Sequence, residues 1–462
     1  MHVVLISVGS RGDAEPFCSI AASLLQKQAT AQTTAKENGI QIDLFLQKDL
    51  THLAPTCAVD GVLRVHELPF TQQDFYRFVA SPHKDSIHHP NPRVQFVGII
   101  AEVINHLVLP CYDDVISHCH EDAKGDLTLV ASSLARPLAL AVAAAHRRCR
   151  VALVQLQPLQ PVPEFPHYSH SEASIEALEK LKGKEGRDDA AGDSRDENLE
   201  SYWEPERFQH QFVLDRLSKI TGDENPIDFA KDVQPALLGD RPDVRIVNAF
   251  SQQLIPPVGK AWHIGPLADA YVLEEPMPDA RRDEFLKRRP ICVGYGSMPF
   301  DKVSIVLSAL EALNRPAVLV GSCFVEALQQ QKEEDTTGSL STWTQGNTYA
   351  VSSLPYPWLL PQCTMMLSHG GAGVVNATLR AGIPHVISPL MGDQFFWAQL
   401  LERRKLGVQA DNLTQLTEAG VTDGIRRADA MAEYAKDIGE AIRADTKGVR
   451  VLVDHLLAWP EA

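Results

Sequence analysis

Short apolar runs rich in β-branched residues alternate with longer stretches of helical pattern along this chain of 462 residues. Apolar strands separated by helices predict a parallel sheet that is covered on both faces. The first series of predicted strands lies at 2–7, 40–46, 62–66, 127–131, 151–155 and 244–248, with helices such as 15–28 and 135–148. A second series lies at 291–295, 317–320, 348–352, 365–368 and 385–388. We therefore expect an α/β protein.

A Pro-rich passage separates the two series, and Pro clusters are typical of connections between domains. The sequence predicts an N-terminal domain over 1–250, a linker over 251–289 and a second domain over 290–445. The last residues, 446–462, are predicted to form a C-terminal helix.

Charge is concentrated in one segment of the first domain. Residues 171–207 hold 12 acidic and 6 basic side chains, and the whole chain carries a formal charge of -16. Such a segment buries too little apolar surface to offset the entropy of ordering it, so we expect a mobile acidic loop. The acidic balance argues against nucleic acid as a partner, although a local pocket can still bind a small anion.

Targeting and metal signals are weak. The chain starts directly in a predicted strand, without a basic segment and a cleavable apolar stretch, and it has no run of about 18 apolar residues. We expect a cytoplasmic protein, with transient contact to a membrane surface as an option.

The eight cysteines form no C-x-x-C pair and no histidine pair has a third ligand at a diagnostic spacing, so free thiols and no metal are expected.

The first candidate motif is Gly9-Ser10-Arg11-Gly12-Asp13, between the first predicted strand and the following helix. The carboxyl ends of strands face the ligand crevice in doubly wound sheets, so this turn is a candidate binding position. Ser and Asp are also good helix caps, and a purely structural role stays open. The glycine spacing does not match the dinucleotide-binding fingerprint.

The second motif is His369-Gly-Gly-Ala-Gly373, again between a strand and a helix. Small residues leave the N–H groups of a helix N-terminus unobstructed, which favours binding of a diphosphate. A tight turn with close helix packing is the alternative. One strand later, Asp393 and Gln394 offer the acceptors and donors that suit sugar hydroxyls, although they too could serve as a cap.

Residues 369–397, HGGAGVVNATLRAGIPHVISPLMGDQFFW, resemble the donor-binding signature of UDP-glycosyltransferases with the GT-B fold. Residues 9–16 resemble the N-terminal motif of the sterol glucosyltransferase and antibiotic glycosyltransferase branch, and the EFPH sequence at 164–167 resembles the sterol enzymes more particularly. The resemblance implies two Rossmann-like domains that face a cleft, with the C-terminal helix returning to the N-terminal domain. Departures from the family pattern are Val374, Val375, Tyr356 and Cys323.

The resemblance also implies roles for individual residues. Asp13 would be the general base that takes the proton of the acceptor hydroxyl. Donor-binding residues would be Ser10, Arg11, Gly12, Ser297, His369, Gly371, Ala372 and Gly373 at the phosphates, Leu354 at the uracil, and Asp393 and Gln394 at the sugar. The family needs no metal or other cofactor, because N–H groups and a helix dipole stabilise the leaving UDP.

The predicted reaction is the inverting transfer of a hexose, glucose in the first instance, from a UDP-sugar to a lipophilic acceptor such as a sterol, terpenoid or phenolic. Aromatic residues of the first domain would form the acceptor site, although a single aromatic residue of this kind is more often part of the core: Phe70, Phe75, Tyr76, Phe96 and Trp203. Three alternatives are a different nucleotide-sugar donor, a polyketide acceptor, and a catalytically silent relative that binds a partner protein.

Overall fold

The computed structural model describes residues 1–32, 39–56, 61–80, 92–119, 127–146, 148–158, 192–224, 226–257, 260–267, 276–296, 300–334, 342–444 and 447–459. The chain divides into two compact units. The first comprises Met1–Ala270 and Thr446–Ala462, and the second comprises Tyr271–Asp445.

The first unit contains a parallel sheet of seven strands in the order β3-β2-β1-β4-β5-β6-β7. Its strands are β1 (His2–Ile6), β2 (Gln41–Gln47), β3 (Leu63–Leu68), β4 (Leu127–Ser132), β5 (Cys149–Gln155), β6 (Val244–Asn248) and β7 (Trp262–His263). Its first seven helices are α1 (Arg11–Gln32), α2 (Gln72–Ala80), α3 (Pro92–Val103), α4 (Tyr112–His118), α5 (Arg136–Ala144), α6 (Gly192–Thr221) and α7 (Gln234–Leu237). Strand β7 lies within the segment that the sequence assigned to a linker.

Both faces of this sheet are covered, as the continuous apolar strands predicted. Every residue of β1 is buried; Val4 and Ile6 belong to one hydrophobic cluster, while Val3 and Leu5 belong to another. Successive side chains of a strand point to opposite faces, so each face has its own core. The sheet therefore leaves its strand ends, rather than its faces, for a ligand.

Helix α6 corrects one expectation. Residues 192–207 were assigned to the acidic loop but form the first half of this helix. The side chain of Trp203 is buried in the core, and the carboxylate of Glu206 pairs with the buried guanidinium of Arg136 at 2.6 Å. These long-range contacts hold the segment in spite of its charge. The rest of the predicted loop that precedes residue 192 lies outside the described residues.

The second unit contains a parallel sheet of six strands in the order β10-β9-β8-β11-β12-β13. Its strands are β8 (Ile291–Val293), β9 (Ala317–Val320), β10 (Thr348–Val351), β11 (Met366–Ser368), β12 (His385–Ile387) and β13 (Gly407–Gln409). Its helices are α8 (Ala280–Leu286), α9 (Val303–Ala312), α10 (Ser322–Glu334), α11 (Thr342–Asn347), α12 (Tyr356–Leu359), α13 (Ala372–Ala381), α14 (Asp393–Arg403), α15 (Glu418–Asp429) and α16 (Ala432–Ala444).

The last helix, α17 (Gly448–Ala458), returns to the first unit. Asp454 accepts a hydrogen bond from Lys27 of α1 at 2.6 Å, and the guanidinium of Arg150 donates to the carbonyl of Trp459 at 2.5 Å. Gly448 packs so closely on the carbonyl groups of residues 265 and 266 that a Cβ atom would collide with them. The predicted return of the C-terminal helix is confirmed.

Candidate functional site

The turn between β1 and α1 is built around Asp13. One oxygen of its carboxylate, Oδ2, accepts hydrogen bonds from the main-chain N–H of Ser10 at 2.7 Å and from the Ser10 hydroxyl at 2.9 Å. A carboxylate three residues after the cap that binds the cap's N–H is half of a capping box. Gly9 has a φ of 141°, and a Cβ atom there would collide with the Asp13 carboxylate. The motif thus needs its first glycine for the approach of Asp13.

Side chains from neighbouring elements hold the rest of this turn. The N–H of Val8 donates to the hydroxyl of Ser132 at 3.0 Å, and the N–H of Gly9 donates to Oε1 of Gln47 at 2.8 Å. The N–H of Arg11 donates to Oε1 of Gln72 at 2.9 Å. With Ser10 bonded to Asp13, the N–H groups of residues 8 to 11 all have acceptors within the protein.

The environment of Asp13 makes its carboxylate a better proton acceptor. Burial raises the pKa of Asp13 above its ordinary value of 3.8, and the two hydrogen bonds from Ser10 oppose part of that rise. A carboxylate with a raised pKa is a stronger base than an ordinary Asp. As a residue Asp13 is partly exposed, so it is not sealed inside the core.

The glycine turn before α13 differs from the turn before α1 in how its main-chain N–H groups are bonded. The N–H of Gly370 donates to the hydroxyl of Ser368 at 3.0 Å, but no side chain caps the helix. Across the described part of the chain, no hydrogen bond uses the N–H groups of Gly371, Ala372 or Gly373. The first N–H groups of a helix need partners from outside it, and here they remain available to an anion.

His369 lies beside these N–H groups. A Cβ atom on Gly371 would come within 2.8 Å of Nε2 of His369, which places this nitrogen next to the helix start. Burial lowers the pKa of His369 to about 4, so the ring is neutral near pH 7. A neutral imidazole donates from one nitrogen and accepts at the other. It can therefore donate one hydrogen bond to an anion without carrying charge.

A buried pair lies under the same turn. The hydroxyl of Ser368 is 2.7 Å from Nε2 of His385, and both residues are fully buried. Burial lowers the pKa of His385 to about 3, with a smaller contribution from His369. The sequence did not single out His385, because a histidine within a short apolar strand carries no functional signal by itself.

Asp393 and Gln394 begin α14. Oε1 of Gln394 accepts hydrogen bonds from the N–H groups of Leu390 and Met391 at 2.8 and 3.1 Å, so this buried oxygen holds the preceding loop. Oδ2 of Asp393 accepts from the indole N–H of Trp397 at 3.1 Å. Asp393 is partly exposed. Of the two, the Asp393 carboxylate is better placed for a ligand.

The structure describes only some of the remaining residues that were predicted to bind the donor. Leu354 is 8% exposed and packs in a hydrophobic cluster of the second unit. Ser297 lies outside the described residues. Nε of Arg11 donates a hydrogen bond to Oε1 of Glu15 at 2.5 Å. The roles predicted for these residues and for Gly12 stay predictions.

The predicted acceptor residues do not share one environment. Phe70 and Trp203 are 3% and 5% exposed and belong to the hydrophobic core. Phe75 and Tyr76 are partly buried neighbours on α2, with ring centroids 5.6 Å apart. Phe96 lies on α3, and its side chain is outside the described part of the chain.

Solved structures match the chain along nearly its whole length. A calicheamicin glycosyltransferase aligns with a TM-score of 0.59 over 99% of this chain and 98% of its own, at 15% identity. A UDP-glucose: anthocyanidin 3-O-glucosyltransferase, solved in complex with UDP, aligns with a TM-score of 0.56 over 99% of each chain, at 14% identity. The chain has the GT-B glycosyltransferase fold. The two parallel sheets correspond to the two Rossmann-like domains of the GT-B fold, which confirms the predicted fold class.

Sequence comparison finds relatives in the group of proteins that the sequence motifs resemble. The chain is 31% identical over 154 residues to a sterol 3-beta-glucosyltransferase of Arabidopsis thaliana, a match that covers 31% of this chain and 23% of that relative. It is 29% identical over 173 residues to a sterol 3-beta-glucosyltransferase of Eremothecium gossypii, covering 37% of this chain and 14% of the relative. The chain thus spans less than a quarter of the length of these curated relatives. The predicted resemblance is confirmed, while no protein-family model matches the chain.

Two further observations apply to the residues that the structure describes. None of their helices combines the length and the apolar character that crossing a membrane requires. No group of three or more His, Cys, Asp or Glu side chains among them is arranged to hold a metal ion.

Proposed function

We propose that this GT-B protein transfers a hexose, glucose in the first instance, from a UDP-sugar to a hydroxyl group of a lipophilic acceptor, with inversion at the anomeric carbon. Sterol glucosyltransferases are among its sequence relatives, which favours a sterol as the acceptor. Structural neighbours solved in complex with UDP and with dTDP favour a pyrimidine nucleoside diphosphate as the donor group, and UDP is the nucleotide that the sequence resemblance implies.

The main support for the proposal is the difference in hydrogen bonding between the starts of α1 and α13. At α1 the N–H groups of residues 8 to 11 are bonded within the protein, and Oδ2 of Asp13 is bonded to Ser10, which leaves Oδ1 of Asp13 without a hydrogen bond among the described residues. At α13 no cap is present, and the N–H groups of residues 371–373 lie beside a neutral His369. One turn suits a base and the other suits an anion, as transfer from a sugar diphosphate requires.

The proposed step is a single displacement. The acceptor oxygen forms a bond to the anomeric carbon while the bond from that carbon to the UDP oxygen breaks. Asp13 takes the proton of the acceptor hydroxyl, and the electron pair of the broken bond leaves with UDP. The N–H groups of Gly371, Ala372 and Gly373, together with the ring of His369, would stabilise the charge that develops on the leaving diphosphate.

Asp393 is the proposed contact for the sugar hydroxyls. Its Oδ2 is held by the Trp397 indole, and a carboxylate oxygen can accept further hydrogen bonds from hydroxyl groups. Gln394 would support this position by holding the loop before α14.

Helix α2 is the proposed part of the acceptor site that lies nearest to the base. Oε1 of Gln72, at the start of α2, accepts a hydrogen bond from the N–H of Arg11, so α2 begins next to the turn that carries Asp13. Phe75 and Tyr76 follow within about one helical turn and offer partly buried aromatic surface. Such surface suits a flat apolar acceptor.

A donor and acceptor panel tests the proposal. The purified protein is incubated with UDP-glucose or dTDP-glucose and with a sterol, a terpenoid, a phenolic or a polyketide, and products are identified by mass and anomeric configuration. We expect an inverted sterol glucoside from UDP-glucose. A folded protein that transfers no sugar to any acceptor would overturn the proposal, and UDP binding without transfer would indicate a catalytically silent relative.

A further inference from the structure

Two buried polar side chains hold the turn before Asp13 from opposite sides. Gln47 is the last residue of β2 and Ser132 is the last residue of β4, and these strands flank β1 in the sheet. Gln47 is 1% exposed and Ser132 is 5% exposed. A buried polar side chain is unfavourable unless it is hydrogen-bonded, and within the described residues Nε2 of Gln47 has no partner, so the bond that Oε1 of Gln47 makes is the one that offsets its burial.

Their bonds go to the main chain of the turn. Oε1 of Gln47 accepts from the N–H of Gly9 at 2.8 Å. The hydroxyl of Ser132 accepts from the N–H of Val8 at 3.0 Å and donates to the carbonyl of Val8 at 3.2 Å. Residues 8 and 9 are therefore fixed by side chains from both neighbouring strands.

The position of Gly9 determines where the carboxylate of Asp13 can lie. The Asp13 carboxylate fills the space that a Cβ atom on Gly9 would occupy, so the two residues are in direct contact. A shift of Gly9 would move or release the carboxylate. A displacement of about 1 Å in a reacting group can reduce turnover about 100-fold.

We infer that Gln47 and Ser132 are positioning residues for the reaction, holding residues 8 and 9 so that the carboxylate of Asp13 meets the acceptor hydroxyl in one orientation. The inference rests on the proposed function, because it needs Asp13 to be the base. Gln47 and Ser132 act through the main chain of the turn and need not touch a substrate.

The experiment compares Gln47→Met and Ser132→Ala with a matched control, Thr128→Val. Thr128 lies on β4 with Ser132 and is also buried, but its hydroxyl has no hydrogen-bond partner within the described part of the chain. Turnover per folded molecule, KM for both substrates, UDP affinity and thermal stability are measured for each variant.

We expect kcat to fall about 10- to 100-fold for Gln47→Met and by a smaller factor for Ser132→Ala, with UDP affinity unchanged. Thr128→Val should keep the kcat of the wild type. A variant Gln47→Glu keeps an acceptor for the N–H of Gly9, so its kcat should exceed that of Gln47→Met. Its added negative charge near Asp13 should move the acid limb of its rate profile to higher pH.

The outcomes separate the two proposals. If the wild type transfers no sugar, the proposed function fails. If the wild type is active and Asp13→Asn is inactive, but Gln47→Met and Ser132→Ala keep the kcat of the wild type, the positioning role is refuted. Equal loss of kcat in Thr128→Val would also refute it, because disturbance of the core alone would then explain the effect.

Discussion

Both donors of Ser10 point to the same oxygen of Asp13, with its main-chain N–H at 2.7 Å and its hydroxyl at 2.9 Å from Oδ2. In the part of the chain that the structure describes, no hydrogen bond is made to the other oxygen, Oδ1. One carboxylate can therefore cap helix α1 through one oxygen and take a proton through the other. The capping and catalytic interpretations of the motif are compatible.

The rate of transfer should depend on pH through Asp13. Because burial raises its pKa above 3.8, the carboxylate becomes protonated, and so loses its function as a base, at a higher pH than an ordinary Asp. We expect kcat to fall as the pH decreases through a value above 3.8. Ser10→Ala removes a hydrogen bond that lowers this pKa, so it should move the acid limb to higher pH, whereas the exposed Ser117→Ala should not. A limb at or below pH 3.8 in the wild type would contradict this account.

Gly371→Val should weaken UDP binding by at least about 10-fold, equivalent to about 1.4 kcal/mol. A side chain at residue 371 would displace the ring of His369 and cover the open N–H groups of α13. Gly346→Ala is the matched control, because a Cβ atom there meets open space. Calorimetric titration with UDP measures both variants, and tight binding by Gly371→Val would argue against an anion site at this helix.

Ser368→Ala should lower the free energy of unfolding by about 1 to 3 kcal/mol. The substitution leaves the N–H of Gly370 and the ring of His385 without their buried partner. Urea unfolding followed by fluorescence measures the change, with the exposed Ser308→Ala as a control that should stay within about 0.5 kcal/mol of the wild type. A change for Ser368→Ala as small as that of the control would show that the pair does not support the turn.

A buried carboxylate at Asp43 should stabilise the first unit at neutral pH. Burial alone would raise the pKa of Asp43, but hydrogen bonds from His2, His66 and Arg64 outweigh it and hold the pKa well below its usual range. Asp43→Asn should lower the free energy of unfolding by about 2 to 3 kcal/mol at pH 7; Arg64 is partly exposed, so the loss is smaller than for a fully buried pair.

The pH dependence of this difference provides the check. Stability from a lowered carboxylate pKa is present above the unfolded value, near 3.8, and is lost as the pH falls below it. The difference between Asp43→Asn and the wild type should therefore shrink in acid. The exposed Asp240→Asn should show little difference at either pH, and a constant gap for Asp43→Asn would rule out the ionic explanation.

The sequence was sufficient for the fold because its strands are continuous apolar runs, as in β1 and β5, whose residues are all buried. It was insufficient where a residue's partner lies far along the chain. Glu206 was assigned to an acidic loop, yet its pairing with Arg136, 70 residues away, places it in a helix.

In the candidate site, too, local motifs could be predicted from the sequence, whereas residues that come from distant parts of the chain could not. The glycines and His369 are recognisable because they occur together in one motif. Gln47 and Ser132 approach the turn from strands 38 and 124 residues away along the chain, so no local pattern marks them. A polar residue at the end of an apolar run was the only available signal. Phe70 and Trp203, chosen for their aromatic character, proved to be core residues.

Asp13→Asn tests the central claim most directly, because asparagine can still accept the hydrogen bonds of Ser10 but cannot take a proton at neutral pH. The measurement compares kcat for glucose transfer from UDP-glucose to a sterol with the UDP dissociation constant, in the wild type and the variant. We predict a loss of kcat of about 10²- to 10⁴-fold with an unchanged dissociation constant. A variant that transfers glucose at the rate of the wild type would contradict the account.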